Sequence, residues 1–345
     1  ICLTPEDGWE QKLKQLGVHH RRLKMQQHGM NIFREFNSVL QYRAVYRESQ
    51  ADVVFNFSIK PILYGALAAK SVGIKHRLAM VTGLGYLFIG SSLKAKLVRM
   101  VLIPLYRMLY GKGDVMFFQN PDDKQVFESL GLGRNAQREI ISGTGIDTTH
   151  FSHKPLSALD AAGPIFLYVG RMLYDKGLQE LVEAVRLLKS QGARFRCQLL
   201  GPLDTNPESI QPNEISRLES DHLVEYLGQT HDVRPYIEQA HMYVLPSYRE
   251  GLPKAALEAM SMGRGVITTD VPGCREVIDG NGILVPVRDS QALAGAMKQV
   301  IENPSLIQQY GKRSRELVEQ RYELGMVIEQ VSGALPDPNA HRDSI

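Results

Sequence analysis

Short apolar runs alternate with helix-length segments along this chain, and that alternation admits little besides parallel β-sheet with crossover helices. In the first half, Asp52–Phe57, Arg77–Val81 and Asp114–Phe118 read as strands. Helices are expected around Pro61–Val72 and over Pro121–Leu130, the second opening on a proline. Ile140–Ile146 closes this half, and the Ser-, His-, Pro-, Ala- and Gly-containing stretch Thr148–Pro164 breaks the rhythm. The pattern then restarts, with strands at Ile165–Val169, Phe195–Leu200, Val224–Leu227, Met242–Pro246 and Val266–Thr269. Helices are expected at Leu178–Gln191, Val233–Ala240 and Pro253–Met262. The prediction is an α/β chain of two Rossmann-like, doubly wound domains facing across a cleft, with ligands at the carboxyl ends of the strands.

The expected boundaries are 1–150, a linker over 151–163, and 164–325. A last helical pattern runs from Ser305 to about Val331, and a helix over about 326–345 is expected to return to the first domain. The opening Ile-Cys-Leu-Thr-Pro reads as the end of a buried strand, so the first domain is expected to lack its first strand. The length of 345 residues suits two cores of about 150–200 residues each.

Charge divides unevenly: residues 1–150 carry 20 Lys/Arg against 12 Asp/Glu, and the remainder 20 against 25. A basic half suits an anionic surface or polyanion. Nucleic acid is disfavoured, because the basic residues are not interleaved with stacking aromatics and the net charge is only +3. No run of about 18 apolar residues occurs. Cys2, Cys197 and Cys274 lie far apart without metal-ligand or redox spacing, which points to a reducing, cytoplasmic compartment.

Two segments of the second half carry chemistry. In Leu245-Pro-Ser-Tyr-Arg-Glu-Gly-Leu-Pro-Lys-Ala-Ala-Leu-Glu-Ala-Met260 a strand ends, a polar loop presents Glu250 and Gly251, and Pro253 opens a helix. Glycine lets backbone approach a ligand closely, and the first-turn N–H groups of a helix favour an anion. Glu258 follows Glu250 by eight residues, so both carboxylates can reach one loop-side cavity. In Tyr168-Val-Gly-Arg-Met-Leu-Tyr-Asp-Lys-Gly177 a strand ends at Gly170 and the next loop presents Arg171 and Lys176. Those two cations suit a diphosphate, the guanidinium bidentately and the ammonium as a point charge.

These segments, with Gly263 and Pro272-Gly-Cys-Arg-Glu276, resemble the signature of family 4 GT-B retaining glycosyltransferases, and Glu250 and Glu258 match that family's Glu-x7-Glu motif. The resemblance covers nearly the whole chain. It implies that Arg171 and Lys176 neutralise a departing nucleotide diphosphate and that Glu258 accepts hydrogen bonds from the ribose. Glu250 would lie beside the donor sugar, with Gly170 and the backbone of Gly251, Leu252, Pro253 and Lys254 around sugar and phosphate. Gly228 and Gln229 would border the base. It further implies retention, no metal ion and no cofactor beyond a UDP-sugar donor; no Asp-x-Asp pair suited to a divalent ion is found.

On the first half, Asn56-Phe-Ser-Ile-Lys-Pro follows a strand and presents Ser58 and Lys60, and Val81-Thr-Gly-Leu-Gly-Tyr-Leu-Phe88 supplies Thr82, Gly83, Gly85 and Tyr86. Both patterns are similar to the N-acetylgalactosaminyltransferase-like subgroup that elongates polyprenyl-diphosphate-linked sugars in bacterial surface-glycan and glycoprotein pathways, which makes these six residues acceptor-binding by resemblance. The run 91–113 holds Lys94, Lys96, Arg99, Arg107 and Lys112 with no acidic residue, beside apolar positions such as Leu97, Met100 and Ile103. It reads either as a helix on an anionic membrane surface, making the chain peripheral on the inner face of the cytoplasmic membrane, or as a helix packing its apolar side on the core. Two other activities fit less well: a nucleotide-sugar epimerase, whose acid and base residues cannot be placed, and a non-catalytic nucleotide-sugar-binding protein.

Overall fold

The computed structural model describes residues 1–4, 8, 10–23, 32–84, 93–203 and 209–336. The chain divides into two compact units, residues 1–140 with the stretch from Gly333 on, and residues 141–332.

In the first unit the elements run β1 (Cys2–Thr4), α1 (Glu10–Gln15), β2 (His20–Arg22), α2 (Ile32–Ser49), β3 (Val53–Phe57), α3 (Ile59–Ser71), β4 (His76–Val81), α4 (Leu93–Leu109), β5 (Val115–Phe118), α5 (Pro121–Ser129) and β6 (Gln137–Ile140). Strands β3-β4-β5-β6 form one parallel sheet in chain order, and β1 pairs in parallel with β2 in a separate ribbon. A cavity of about 740 Å³ is lined by Ile1–Leu3 on one side and by the outer edge of β3, Val53–Phe57, on the other. Residues 85 and 86 lie outside the described residues, as do the side chains of Lys94 and Lys96.

The run 91–113 divides its apolar residues between two environments. In α4, Leu102, Ile103 and Leu105 pack against the core, with Tyr106 and Leu109 buried in it, and the Tyr106 hydroxyl donates to Ile59 O at 2.8 Å. Met100 and Met108, by contrast, are 70% and 69% exposed, and Pro104 between them is exposed as well. Positions 100, 104 and 108 recur at helical spacing, so they share one solvent-facing stripe.

The second unit runs β7 (Ile165–Val169), a 3₁₀ turn (Tyr174–Lys176), α6 (Leu178–Ser190), β8 (Arg196–Leu200), α7 (Pro212–Ser220), β9 (Glu225–Tyr226), α8 (Arg234–Gln239), β10 (Met242–Leu245), α9 (Lys254–Ser261), β11 (Gly265–Thr269), β12 (Gly282–Val285), α10 (Ser290–Glu302), α11 (Ser305–Leu317), a π-helical turn (Val318–Tyr322) and α12 (Leu324–Gly333). Its sheet is parallel throughout, in the order β12-β11-β10-β7-β8-β9. Chain order reverses on either side of β7, which makes the gap between β7 and β10 the topological switch point. Runs such as Ile165–Tyr168 and Met242–Leu245 are buried on both faces, as expected of strands covered by helices on each side.

Two expectations change on folding. The helical pattern from Ser305 to Val331 is broken at Glu323, where backbone ψ reaches 138°. There the chain leaves the helix to form a parallel bridge with Ile146: Ile146 N donates to Tyr322 O at 2.8 Å and Leu324 N to Ile146 O at 3.0 Å. The Glu323 carboxylate then receives Gly325 N at 2.7 Å, capping α12.

The stretch 151–163, linker-like in composition, lies in the second unit and is bound to it through its own carbonyls. Arg264, wholly buried, donates to Lys154 O, Met262 O, Ile237 O, Glu238 O and Pro155 O at 2.6–3.4 Å. No carboxylate lies among those acceptors, and burial lowers the guanidinium pKa to about 10, which still leaves it charged at neutral pH.

Candidate functional site

Because the second sheet is parallel, the loops leaving β7, β10 and β11 all emerge at one edge, and the donor-type residues ride on them. Gly177 ends the β7 loop with φ 72°, and a Cβ there would stand 1.9 Å from Pro246 O in the β10 loop. Only glycine permits that approach. The loops are also tied by hydrogen bonds: Tyr248 N donates to Asp175 O at 2.9 Å, and Glu250 N to Pro272 O in the β11 loop at 3.1 Å.

This junction brings Lys176 and Glu250 together. Lys176 Nζ donates to Glu250 Oε1 at 2.7 Å, and both side chains are mostly enclosed, 18% and 17% exposed. Ser247 Oγ donates to the same Oε1 at 2.8 Å. Arg171 is exposed at the β7 end, and its carbonyl receives the Tyr168 hydroxyl at 2.7 Å. Burial raises the Tyr168 phenol well above its ordinary pKa; Glu250 and Asp175 raise it further, and Arg171 opposes them.

Glu258 lies in the second turn of α9 with 13% of its side chain exposed, and Lys254 approaches it at 3.7 Å. Its pKa is raised by burial and pulled back by Lys254. Beneath the loops, the fully buried Tyr243 donates to Val169 O at 3.2 Å. Burial raises its phenol most, followed by Tyr168, Glu250, Cys274 and Glu258. Glu250 and Glu258 therefore lie within electrostatic reach of the same buried hydroxyl, despite their different elements.

Pro253 takes the cap position rather than the first helical position, with φ −74° and ψ 100°, and α9 begins at Lys254. No side chain at the cap bonds the first-turn amides. Gly251 and Leu252 complete the loop, partly buried. Gly170 N donates to Leu200 O at 3.0 Å, and Gly228 O receives Gly201 N at 2.8 Å, so the ends of β7, β8 and β9 lie in a row with exposed Gln229 just beyond.

Sequence reasoning assigned nothing to Ser247, Thr268, Thr269 or Cys274. All four are buried, and they form a polar shelf under the β10 loop. Thr268 Oγ1 donates to Leu245 O at 2.6 Å, Thr269 Oγ1 donates to Ser247 O, and burial pushes the Cys274 thiol up to about 12. The available signal was a hydroxyl residue directly after Pro246, at the strand end.

In the first unit, Ser58 follows β3 with φ 71°, and its Oγ lies 3.1 Å from Thr82 Oγ1 at the end of the neighbouring β4. Gly83 follows with φ 131°. Lys60 Nζ pairs with Glu35 Oε1 on α2 at 2.7 Å, with both side chains largely enclosed. Gly85 and Tyr86 fall outside the described residues.

A family model described as glycosyl transferases group 1 matches residues 163–303. That segment is a glycosyltransferase group 1 domain. Arg171, Lys176, Gly228, Gln229 and Gly251–Glu258 all fall inside it. Over 318 residues the chain is 29% identical to the N,N'-diacetylbacillosaminyl-diphospho-undecaprenol alpha-1,3-N-acetylgalactosaminyltransferase of Campylobacter jejuni, covering 89% of this chain and 82% of that protein. Among solved structures, HepE of Anabaena in complex with UDP-glucose matches with a TM-score of 0.76 at 15% identity, covering 96% of this chain and 90% of that one. Sucrose-phosphate synthase of Thermosynechococcus elongatus matches with a TM-score of 0.73 at 22% identity, covering 92% and 82%. At such identities the likeness speaks for the fold, which is the GT-B fold of glycosyltransferases. No helix among the described residues is long and apolar enough to cross a membrane.

Proposed function

We propose that this glycosyltransferase moves a hexose or N-acetylhexosamine from a UDP-sugar onto a polyprenyl-diphosphate-linked sugar in bacterial surface-glycan or glycoprotein synthesis, with retention and without a metal ion. The observation that carries the reading is the enclosed Lys176–Glu250 pair at the switch-point edge, with Arg171, Glu258 and the start of α9 on the same edge. Breaking the anomeric C–O bond leaves additional negative charge on the diphosphate and positive charge on the sugar ring. Arg171, Lys176 and the amides of Gly251, Leu252 and Lys254 suit the first, and the Glu250 carboxylate suits the second. The acceptor hydroxyl forms the new bond to the anomeric carbon and gives its proton to a phosphate oxygen of the leaving UDP, so no protein general base is required.

Glu258 suits the ribose hydroxyls, Gly170 the phosphates, and Gly228 and Gln229 the rim of the base. Ser58, Lys60, Thr82, Gly83, Gly85 and Tyr86 are the proposed acceptor contacts. N-Acetylgalactosamine is the donor sugar put first, supported by the activity that the name of the Campylobacter relative states.

The test is a panel of nucleotide sugars against a polyprenyl-diphosphate-sugar acceptor, with products read by mass spectrometry, the anomeric configuration by NMR, and a parallel arm in EDTA. Release of no UDP from any donor would sink the reading, and loss of activity in EDTA would remove its metal-free clause. Free epimerised sugar nucleotide without acceptor would indicate an epimerase instead.

The acceptor's lipid also gives a place for the exposed stripe Met100–Pro104–Met108, which has Arg107 and Lys112 beside it. Such a stripe suits shallow insertion into an anionic leaflet on the inner face of the cytoplasmic membrane. Co-sedimentation with anionic liposomes, abolished when Lys94, Lys96 and Arg99 become Glu, is the expected result; no sedimentation of the unaltered protein would refute it.

A further inference from the structure

We propose that Ser247 is the positioning residue of the donor-sugar carboxylate: with Lys176 it pins Oε1 of Glu250, so that Oε2 is the oxygen turned to a hydroxyl of the transferred sugar. The inference rests on the donor-site reading above and goes beyond it by saying which oxygen acts and what aims it.

A serine hydroxyl has one proton to donate, and three acceptors surround Ser247 Oγ. Asp175 O lies at 3.4 Å and Arg249 O at 3.3 Å, whereas Glu250 Oε1 lies at 2.8 Å. The short, charge-assisted bond takes the proton. Ser247 is wholly buried, and its own carbonyl is held by the Thr269 hydroxyl on the adjacent strand. The hydroxyl is thus a fixed donor, with no bulk water to compete for it.

Lys176 Nζ arrives at the same Oε1 at 2.7 Å. A carboxylate oxygen offers two in-plane lone pairs, and two donors occupy both. Oε2 makes no hydrogen bond to the described residues. The backbone end of Glu250 is fixed as well, by its N–H on Pro272 O. The carboxylate therefore has neither rotational freedom nor a second identical face. A carboxylate so fixed can prefer one direction of a sugar hydroxyl over its epimer, because a misdirected hydroxyl leaves a polar group unpaired.

The test compares Ser247→Ala with the unaltered chain. Dissociation constants for UDP and for UDP-N-acetylgalactosamine, or for the donor that the panel selects, are measured by calorimetry, and folding is checked by thermal melting. Loss of one hydrogen bond to a charged group predicts about tenfold weaker binding of the sugar nucleotide, with UDP binding within about twofold of the unaltered chain. In a Glu250→Ala background the same serine substitution is expected to add nothing, because Ser247 acts through that carboxylate. Should Ser247→Ala melt early, Ser247→Cys keeps a weak donor of similar size and is expected to fall between the two. Equal losses for UDP and the sugar nucleotide, or a full tenfold loss that persists without Glu250, would overturn the proposal by showing that Ser247 merely holds the loop. An unaltered chain that binds neither compound would remove the donor-site reading itself, and the proposal with it.

Discussion

Lys176→Ala separates what the Lys176–Glu250 pair does for folding from what it does for transfer. The pair is a single contact of 2.7 Å between side chains 18% and 17% exposed, joining two loops whose backbones are independently bonded through Tyr248 N to Asp175 O. Partial solvent access screens it, so its loss should cost about 1 kcal/mol of stability, above the exposed-pair median and below a fully buried pair. For a unit of this size that corresponds to a fall in Tm of roughly 2–4 °C. The transition state is affected far more. On the proposed reading the ammonium faces the diphosphate on which charge develops, and removing one such preorganised group costs about 2.7–4 kcal/mol, or about a hundredfold to a thousandfold in turnover. The assay is UDP release with saturating acceptor beside a thermal melt of the same preparation. Arg171→Ala should show a similar loss of at least about a hundredfold with little change in Tm, since its side chain is exposed. Near-normal turnover in both variants, with the small Tm shifts as stated, would refute the electrostatic reasoning.

Further outcomes follow from other parts of the second unit. Glu258 has a raised pKa, so the fold favours its protonated form; that contribution is full below the ordinary value of about 4.5 and is lost as pH rises through the folded value. Glu258→Gln should therefore raise Tm at pH 7, with the gain vanishing on acidification below about 4.5, while UDP binding weakens; an unchanged Tm at pH 7 would contradict the burial argument. Gly177→Ala places a methyl against Pro246 O, 1.9 Å away, in a left-handed conformation. It should lower stability by at least about 1–3 kcal/mol and donor affinity with it, as read by denaturant melts and calorimetry. Arg264→Met leaves the buried carbonyl of Ile237 and the half-buried ones of Lys154 and Glu238 without this donor and should cost about 3 kcal/mol or more, visible as an early melt or loss of soluble protein.

Much of this protein was legible before folding, because the relevant signals are local. A strand such as Val53–Phe57 or Met242–Leu245 declares itself by a few consecutive apolar residues, and a parallel sheet then places every strand end on one edge. Pro246–Pro253 and Gly170–Gly177 therefore had to lie at that edge wherever the remaining loops went. The whole-chain α/β order and the GT-B resemblance needed nothing further.

Tertiary structure decided the pairings. Lys176 and Glu250 are 74 positions apart, and no periodicity relates them; the close passage of Gly177 under Pro246 brings them into contact. The same holds for Arg264, an unremarkable cation in sequence that became the buried donor to five carbonyls, two of them in the linker-like stretch. The helix that periodicity favoured broke at Glu323, because Tyr322 O and Leu324 N on either side of it bond Ile146 instead. Composition and period therefore determined which elements form and which ends carry ligand chemistry. Which partner each polar group meets was decided only by long-range packing, because a hydrogen bond depends on distance in space and a sequence orders residues only along the chain.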